Sequence, residues 1–181
     1  MKVAAPFGFL GSQKNCEQLM ELTLRAYQSR DFSALHKLDL ACFPPGISYS
    51  KNTLRHFLTL SSADCVVALD GRKIIGFVLS EENPPLAHII SLDVAETHRR
   101  KGAGSAMLCK LEANLRQRGV RTILLETSVD SQAAIAFWRR HGYRIEVVLK
   151  RYYLGRFDAY EMRKLLPTEI LQSGAHSGAS E

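Results

Sequence analysis

A glycine turn loaded with basic residues, His98-Arg-Arg-Lys-Gly-Ala-Gly-Ser105, separates a stretch of strand periodicity from one of helix periodicity. Before it, Leu86 to Val94 reads as a long strand. His88, Ile90, Leu92 and Val94 are expected on one face, and Ala87, Ile89, Ser91 and Asp93 on the other. After it, Gly104, Met107, Leu108, Leu111 and Leu115 fall at helical spacing, and Gly119 is placed to close that helix. Ile123 to Thr127 then reads as a buried strand. A strand, a crossover helix and a second strand make a right-handed parallel unit, so this chain cannot fold as a purely antiparallel sheet.

The turn also carries chemistry. The first amides of a helix have no partner within it, and the helix dipole adds positive potential there, so a helix start binds anions. Glycine lets the backbone come close to a phosphate. Arg99, Arg100 and Lys101 add charge beside it, and a pyrophosphate fits. A plain tight turn would use the same glycines. A dinucleotide fingerprint is excluded because its third glycine position is Met107. A P-loop is excluded because no Gly-Lys-Ser/Thr follows at the required spacing.

Around this unit, Leu22, Leu24 and Ala26 alternate with polar residues and predict a first strand. Ser29 or Asp31 can cap a helix carrying Phe32, Leu35, Leu38 and Leu40, stopped by Pro44-Pro45-Gly46. Ser50 can cap a second helix with Leu54, Phe57 and Leu58 on one face. Cys65 to Leu69, Asp70-Gly71 and Lys73 to Leu79 predict a hairpin, and Pro84-Pro85 a loop. Asp130 or Ser131 can cap a helix ending at Gly142, and strands are expected over Tyr143–Lys150 and Tyr160–Leu165. The sum is an α/β (α+β) fold: a mixed sheet of about seven strands with helices on both faces. Residues 1–20 are expected to form an N-terminal extension, 21–167 the domain and 168–181 a disordered tail.

Composition narrows the class. Of 181 residues, 46% are apolar and 23% charged, as in an ordinary globular domain. No apolar run approaches the ~20 residues that span a bilayer. The start, MKVAAPFGFLG, makes a poor signal peptide, so a cytoplasmic protein away from membranes is expected. Cys16, Cys42, Cys65 and Cys109 are too scattered for a metal site and read as free thiols. The net charge of +6 favours an anionic partner. Nucleic acid is not that partner, because the charge gathers at one helix start and no aromatic-basic stacking motif accompanies it.

Arg99-Arg-Lys-Gly102-Ala-Gly104 resembles the Arg/Gln-x-x-Gly-x-Gly/Ala signature of GNAT acetyltransferases. Ser91-Leu-Asp-Val94 is similar to the family's preceding strand. Ala133-Ala-Ile-Ala-Phe-Trp138-Arg-Arg-His-Gly142-Tyr143 is similar to its "N-x-x-A-i-x-l-Y-x-k-x-G-F" helix. Cys42-Phe43-Pro44, and the ending Tyr152-Tyr153 followed by Asp158-Ala159 and Met162, resemble the protein N-terminal acetyltransferases, the ribosomal-protein-alanine type above all. The resemblance covers about residues 22 to 166.

It implies a splayed sheet, with the strand of Leu92 and Val94 parting from the next around Glu126. Acetyl-CoA would lie in that gap. Its pantetheine would meet Leu92, Asp93 and Val94, and its diphosphate Arg99, Arg100, Lys101, Gly102, Ala103, Gly104 and Ser105. Ser131 and Trp138 would flank it. The acceptor implied is a protein or peptide N-terminus; a small amine is the alternative, and a non-catalytic acyl-CoA-binding domain a third reading. A monomer or homodimer without metal is expected.

For the chemistry, Glu126 is the candidate base, with burial expected to raise its pKa. A structural glutamate paired with a basic residue is the other reading. The Val94 amide is the candidate oxyanion donor. The family's tyrosine acid is replaced by Trp138, whose indole cannot serve as an acid. Tyr143, Tyr152 or water are the substitutes, and Trp138 can equally be core packing. Tyr152 and Tyr153 are expected to line the acceptor groove, His88 to be a satisfied core histidine, and His98 to be exposed.

Overall fold

The computed structural model describes residues 22–167, so the expected extension and tail lie outside the described residues. Seven strands alternate with helices: β1 (Leu22–Ala26), α1 (Phe32–Cys42), α2 (Lys51–Thr59), β2 (Ala63–Asp70), β3 (Lys73–Asn83), β4 (Leu86–Val94), α3 (Ala103–Gln117), β5 (Thr122–Ser128), α4 (Gln132–Arg140), β6 (Arg144–Tyr153) and β7 (Phe157–Leu165). They form one mixed sheet in the order β1-β2-β3-β4-β5-β7-β6. Only β4 and β5, joined through α3, pair in parallel. Among the described residues no helix is long and apolar enough to cross a membrane.

The helices fall on two faces because the strands bury two apolar sets. Ala68, Ile75, Val78, Ile123 and Leu125 pack with Met107, Leu108, Leu111 and Leu115 of α3 on one face. Val67, Phe77 and Leu79 pack with Leu35 of α1 and Leu54 of α2 on the other. Each fully buried leucine here contributes about 2 kcal/mol. Gly76 allows α3 to come this close: a Cβ there would stand 2.8 Å from both the Met107 methyl and the Asp93 carbonyl.

Several local features differ from what the residue pattern predicts. Pro84-Pro85 is the expected loop, closing a tight hairpin in which Asn83 pairs with Leu86, but β3 runs on to Asn83, past its expected end at Leu79. Asp31 does not cap α1 through its side chain; its carboxylate takes Arg25 at 2.6 Å and the Gln28 amide at 2.8 Å. Leu40 of α1 is exposed. β5 is buried on alternate residues only.

The largest departure from the expected alternation lies in β4. Its register against β3 slips between Leu79/Ser91 and Ser80/Ile89, leaving Ile90 as an extra residue. A β-bulge of this kind reverses the alternation beyond it. Leu92 and Val94 therefore join Ala87 and Ile89 on the α3 face, while Ile90 packs on the α1–α2 face. Asp93 is buried, 1% exposed.

Candidate active site

β4 and β5 pair at only three positions, Leu86–Thr122, Ala87–Ile123 and His88–Leu124. Beyond His88 they diverge, two residues earlier than the expected parting at Glu126. The Ala95 amide donates to the Ile75 carbonyl at 2.8 Å. Antiparallel pairing alternates, so the main-chain groups of Leu92 and Val94 point away from β3, into the gap.

The glycine turn lies at the far end of that gap. Gly102 holds the N-cap of α3 at φ 91°, and Arg100 at φ 62° also sits in the left-handed region. The first helical bond of α3 runs from the Ala106 amide to the Gly102 carbonyl at 2.9 Å, and among the described residues the amides of Gly102, Ala103, Gly104 and Ser105 meet no acceptor. Four main-chain donors are thus open at a helix start, beside Arg100 and Lys101. The Ser105 hydroxyl lies 2.9 Å from His141 Nε2. A Cβ on Gly104 would meet Phe137 at 3.4 Å and Leu92 at 3.6 Å.

Arg99 departs from its expected place. Its Nε donates to the Val94 carbonyl at 3.0 Å, and its guanidinium lies 3.6 Å from Cys42 Sγ. It braces the end of β4 instead of reaching for a phosphate. Asp93 also has no route to the gap: its carboxyl accepts from Ser91 Oγ at 3.1 Å in the interior. Ser131 is the N-cap residue of α4, without a side-chain capping bond.

Glu126 projects from β5 on the α1–α2 side. Its Oε2 stands 2.8 Å from His88 Nε2. Burial pushes the Glu126 carboxyl up, but His88 and then the neighbouring Tyr152 phenol outweigh it and hold the group below its ordinary value. The expected rise through burial is thus reversed by His88, which strict strand alternation assigns to the core. His88 is 40% exposed, and its bond to Glu126 holds the imidazolium above the usual histidine range against the effect of burial.

His88 and Glu126 share a cavity of about 250 Å³ with Tyr49, Phe57, Tyr152 and Tyr153; Glu81 stands on its β3 side. Successive strand residues point to opposite faces, so Tyr152 and Tyr153 should not both reach it. They do because the β6–β7 register places Lys150, Arg151 and Tyr152 opposite the single residue Asp158. Asp158 fixes this bulge. Its carboxylate accepts from the Arg151 amide at 2.9 Å and from Lys150 Nζ at 2.8 Å, with Arg151 at φ 54°. The two tyrosine rings meet edge to face, 5.0 Å apart. Burial, then Glu126, push the Tyr152 phenol up to about 12. Tyr49 enters from the α1–α2 loop, its hydroxyl donating to the Ile90 carbonyl at 3.2 Å. No motif marked it, because its position depends on the bulge at Ile90.

Two expected participants lie elsewhere. Tyr143 is buried, and its hydroxyl donates to Glu112 Oε1 at 3.0 Å while Lys164 meets the other oxygen of that carboxylate at 2.6 Å. Burial, then Glu112, push its phenol strongly up, and it does not face the groove. Trp138 is 7% exposed in the α3-side core, 5.2 Å from Tyr143 and 5.0 Å from Phe137. It packs the core; Phe137 is the aromatic residue of α4 beside the glycine turn.

The sheet thus parts between β4 and β5, with open amides at one end of the gap and the His88–Glu126 pair at its mouth. Residues 32–143 match the Acetyltransferase (GNAT) family. The chain belongs to this family and is an N-acetyltransferase. It is 31% identical over 117 residues to N-alpha-acetyltransferase 30 of Schizosaccharomyces pombe, spanning 62% of this chain and 78% of that protein. It is 30% identical over 142 residues to the N-terminal acetyltransferase A complex catalytic subunit NAA10 of Arabidopsis thaliana, spanning 75% of this chain and 73% of that one. Among solved structures, Ard1 from Thermoplasma volcanium superposes with a TM-score of 0.75 at 22% identity, covering 81% of this chain and 99% of that chain. Ribosomal-protein-alanine N-acetyltransferase from Brucella melitensis superposes with a TM-score of 0.69 at 21% identity, covering 80% and 99%. At those identities the structures show a shared fold.

Proposed function

We propose that this acetyltransferase moves an acetyl group from acetyl-CoA to the α-amine of a protein or peptide N-terminus. The observation that carries the reading is the His88–Glu126 pair, set where the β4–β5 gap opens into an aromatic cavity. Several relatives bear the names of N-terminal or N-alpha-acetyltransferases, which supports the acceptor class.

The chain fits the nucleotide. The open amides from Gly102 to Ser105, with Arg100 and Lys101, suit a diphosphate. The main-chain groups of Leu92 and Val94 suit the amide-bearing pantetheine arm.

The acceptor ammonium must first lose a proton. An α-amine has an ordinary pKa of about 7.7–8.0, against about 10.4 for lysine, so it needs only modest help at neutral pH. The His88–Glu126 pair takes that proton, with His88, whose affinity for a proton is raised by its bond to Glu126, the member that gains it. The free amine attacks the thioester carbonyl, forming the C–N bond. The Val94 amide, facing the gap, donates to the resulting oxyanion. The C–S bond then breaks, and the nitrogen gives up its remaining extra proton to water, leaving the amide. A thiol of pKa about 8.5 leaves readily as thiolate, which accounts for tryptophan being tolerated where the family commonly has tyrosine. Tyr152, which keeps its proton up to about 12, or water returns a proton to the sulfur. Holding both reactants in one gap supplies much of the acceleration.

The test is incubation with acetyl-CoA and a panel of free α-amine peptides, α-blocked lysine peptides, polyamines and aminoglycosides, read by mass spectrometry. Acetylation at the α-amine is expected. Exclusive turnover of a polyamine or an aminoglycoside would overturn the acceptor assignment and leave the fold untouched.

A further inference from the structure

One carboxylate on the acceptor cavity has no part in the reaction as drawn. Glu81 of β3 is the register partner of His88 on β4, and both line the cavity. Glu126 is engaged by His88. Glu81, in contrast, has Ser62 Oγ at 3.5 Å as its hydrogen-bond neighbour and forms no ion pair among the described residues. Among the described residues no lysine or arginine lines the cavity. Phe57 and Tyr49 stand edge to face on the same cavity, their rings 5.7 Å apart. Aromatic rings beside a half-buried carboxylate form an environment that attracts an organic cation, and an unpaired carboxylate gains from being matched by one.

The placement sets a distance. The reacting nitrogen must sit at the His88–Glu126 side, next to the gap. Glu81 lies one strand further out, and neighbouring strands are about 4.8 Å apart. Side-chain reach adds a few ångströms.

We propose that Glu81 selects acceptors that carry a second positive charge about 6–8 Å from the reacting amine, one strand spacing plus side-chain reach away, as in a peptide whose first or second residue is lysine or arginine. This rests on the reading of the cavity as the amine site. Glu81 also favours the protonated form of His88 by its charge, so its removal affects every acceptor to some extent. The informative quantity is therefore a ratio between acceptors, in which that common effect cancels.

The experiment measures kcat/KM for peptides differing only in arginine, glutamine or glutamate at the second residue. A parallel arm compares 1,4-diaminobutane with butylamine, which separates a peptide source of the second charge from a small diamine. The wild type should prefer the arginine peptide over the glutamine peptide by about tenfold, the size expected of one partly exposed charge pair, with the ratio shrinking as salt rises. Glu81→Gln should bring the ratio near one, and Glu81→Lys should invert it toward the glutamate peptide. Equal turnover of all three peptides by the wild type, or an unchanged ratio in Glu81→Gln, overturns the proposal. Preference for the diamine with no peptide turnover overturns the N-terminal acceptor and retains Glu81. No turnover of any amine overturns both.

Discussion

His88 Nε2 and Glu126 Oε2 are 2.8 Å apart across the last point at which β4 and β5 still pair. The contact raises the pKa of His88 and lowers that of Glu126. The ion pair is complete below the ordinary histidine pKa of about 6.5 and is lost as pH rises through the raised value. The base-competent form appears over that same upper range. Glu126→Gln removes the carboxylate, so the imidazole should titrate lower. The acidic limb of the kcat/KM profile should move to lower pH while the plateau falls by about 10²-fold. A plateau loss with the limb unmoved would mean that Glu126 acts without His88.

Asp158 gives a second prediction. Its carboxylate accepts the Arg151 amide and Lys150 Nζ, and so holds the bulge that turns both Tyr152 and Tyr153 into the cavity. Asp158→Ala should release that register. KM for the peptide acceptor should rise several-fold, whereas KM for acetyl-CoA, whose expected contacts lie on β4 and α3, should stay within about twofold. Steady-state kinetics with each substrate varied in turn decides it. Equal rises in both constants would show a general loss of structure.

Where sequence periodicity is unbroken, it located the elements. The glycine turn, α3, the Ser50 cap and the parallel crossover all follow from local residue chemistry and spacing. The aromatic cavity is less legible because two bulges decide its lining. The extra residue at Ile90 reverses the β4 alternation, and the two extra residues before Tyr153 bring adjacent tyrosines to one cavity. Strict period-two reading assigns His88 the company of Leu92 and Val94 and so makes it a core residue; the bulge separates them. Tyr143 and Trp138 were placed by motif position, but the buried Glu112 carboxylate and the α3-side core claim them. Arg99 illustrates the same limit: its charge was readable, while its contact with the Val94 carbonyl depends on the tertiary fold.

Gly104 tests the anion site. Space for a Cβ exists at ordinary contact distance from Phe137 and Leu92, so the helix itself can accept a side chain there. A long cationic chain, however, would lie across the open amides. Gly104→Arg should abolish acetyl-CoA binding in calorimetry, while Gly104→Ala should weaken it much less. Undiminished affinity in the arginine variant would show that the diphosphate is held elsewhere.

Asp93 should set how stability responds to pH. Burial, then the nearby Asp39 carboxylate, hold its carboxyl well above the usual range, and its Oδ2 has no partner among the described residues. In the unfolded chain the group ionises near its ordinary value of about 3.9. Between that value and the raised one the folded state binds the extra proton, so stability must fall as pH rises through this window. Asp93→Asn removes the titration but keeps an oxygen for the Ser91 hydroxyl, which now donates to Asp93 at 3.1 Å. The variant should melt a few degrees higher at neutral pH, in keeping with about 1 kcal/mol for a chain of this size, and its advantage should vanish toward pH 4. Thermal unfolding of both proteins across pH 4 to 8 is the measurement. Parallel curves would mean that Asp93 is already ionised in the fold.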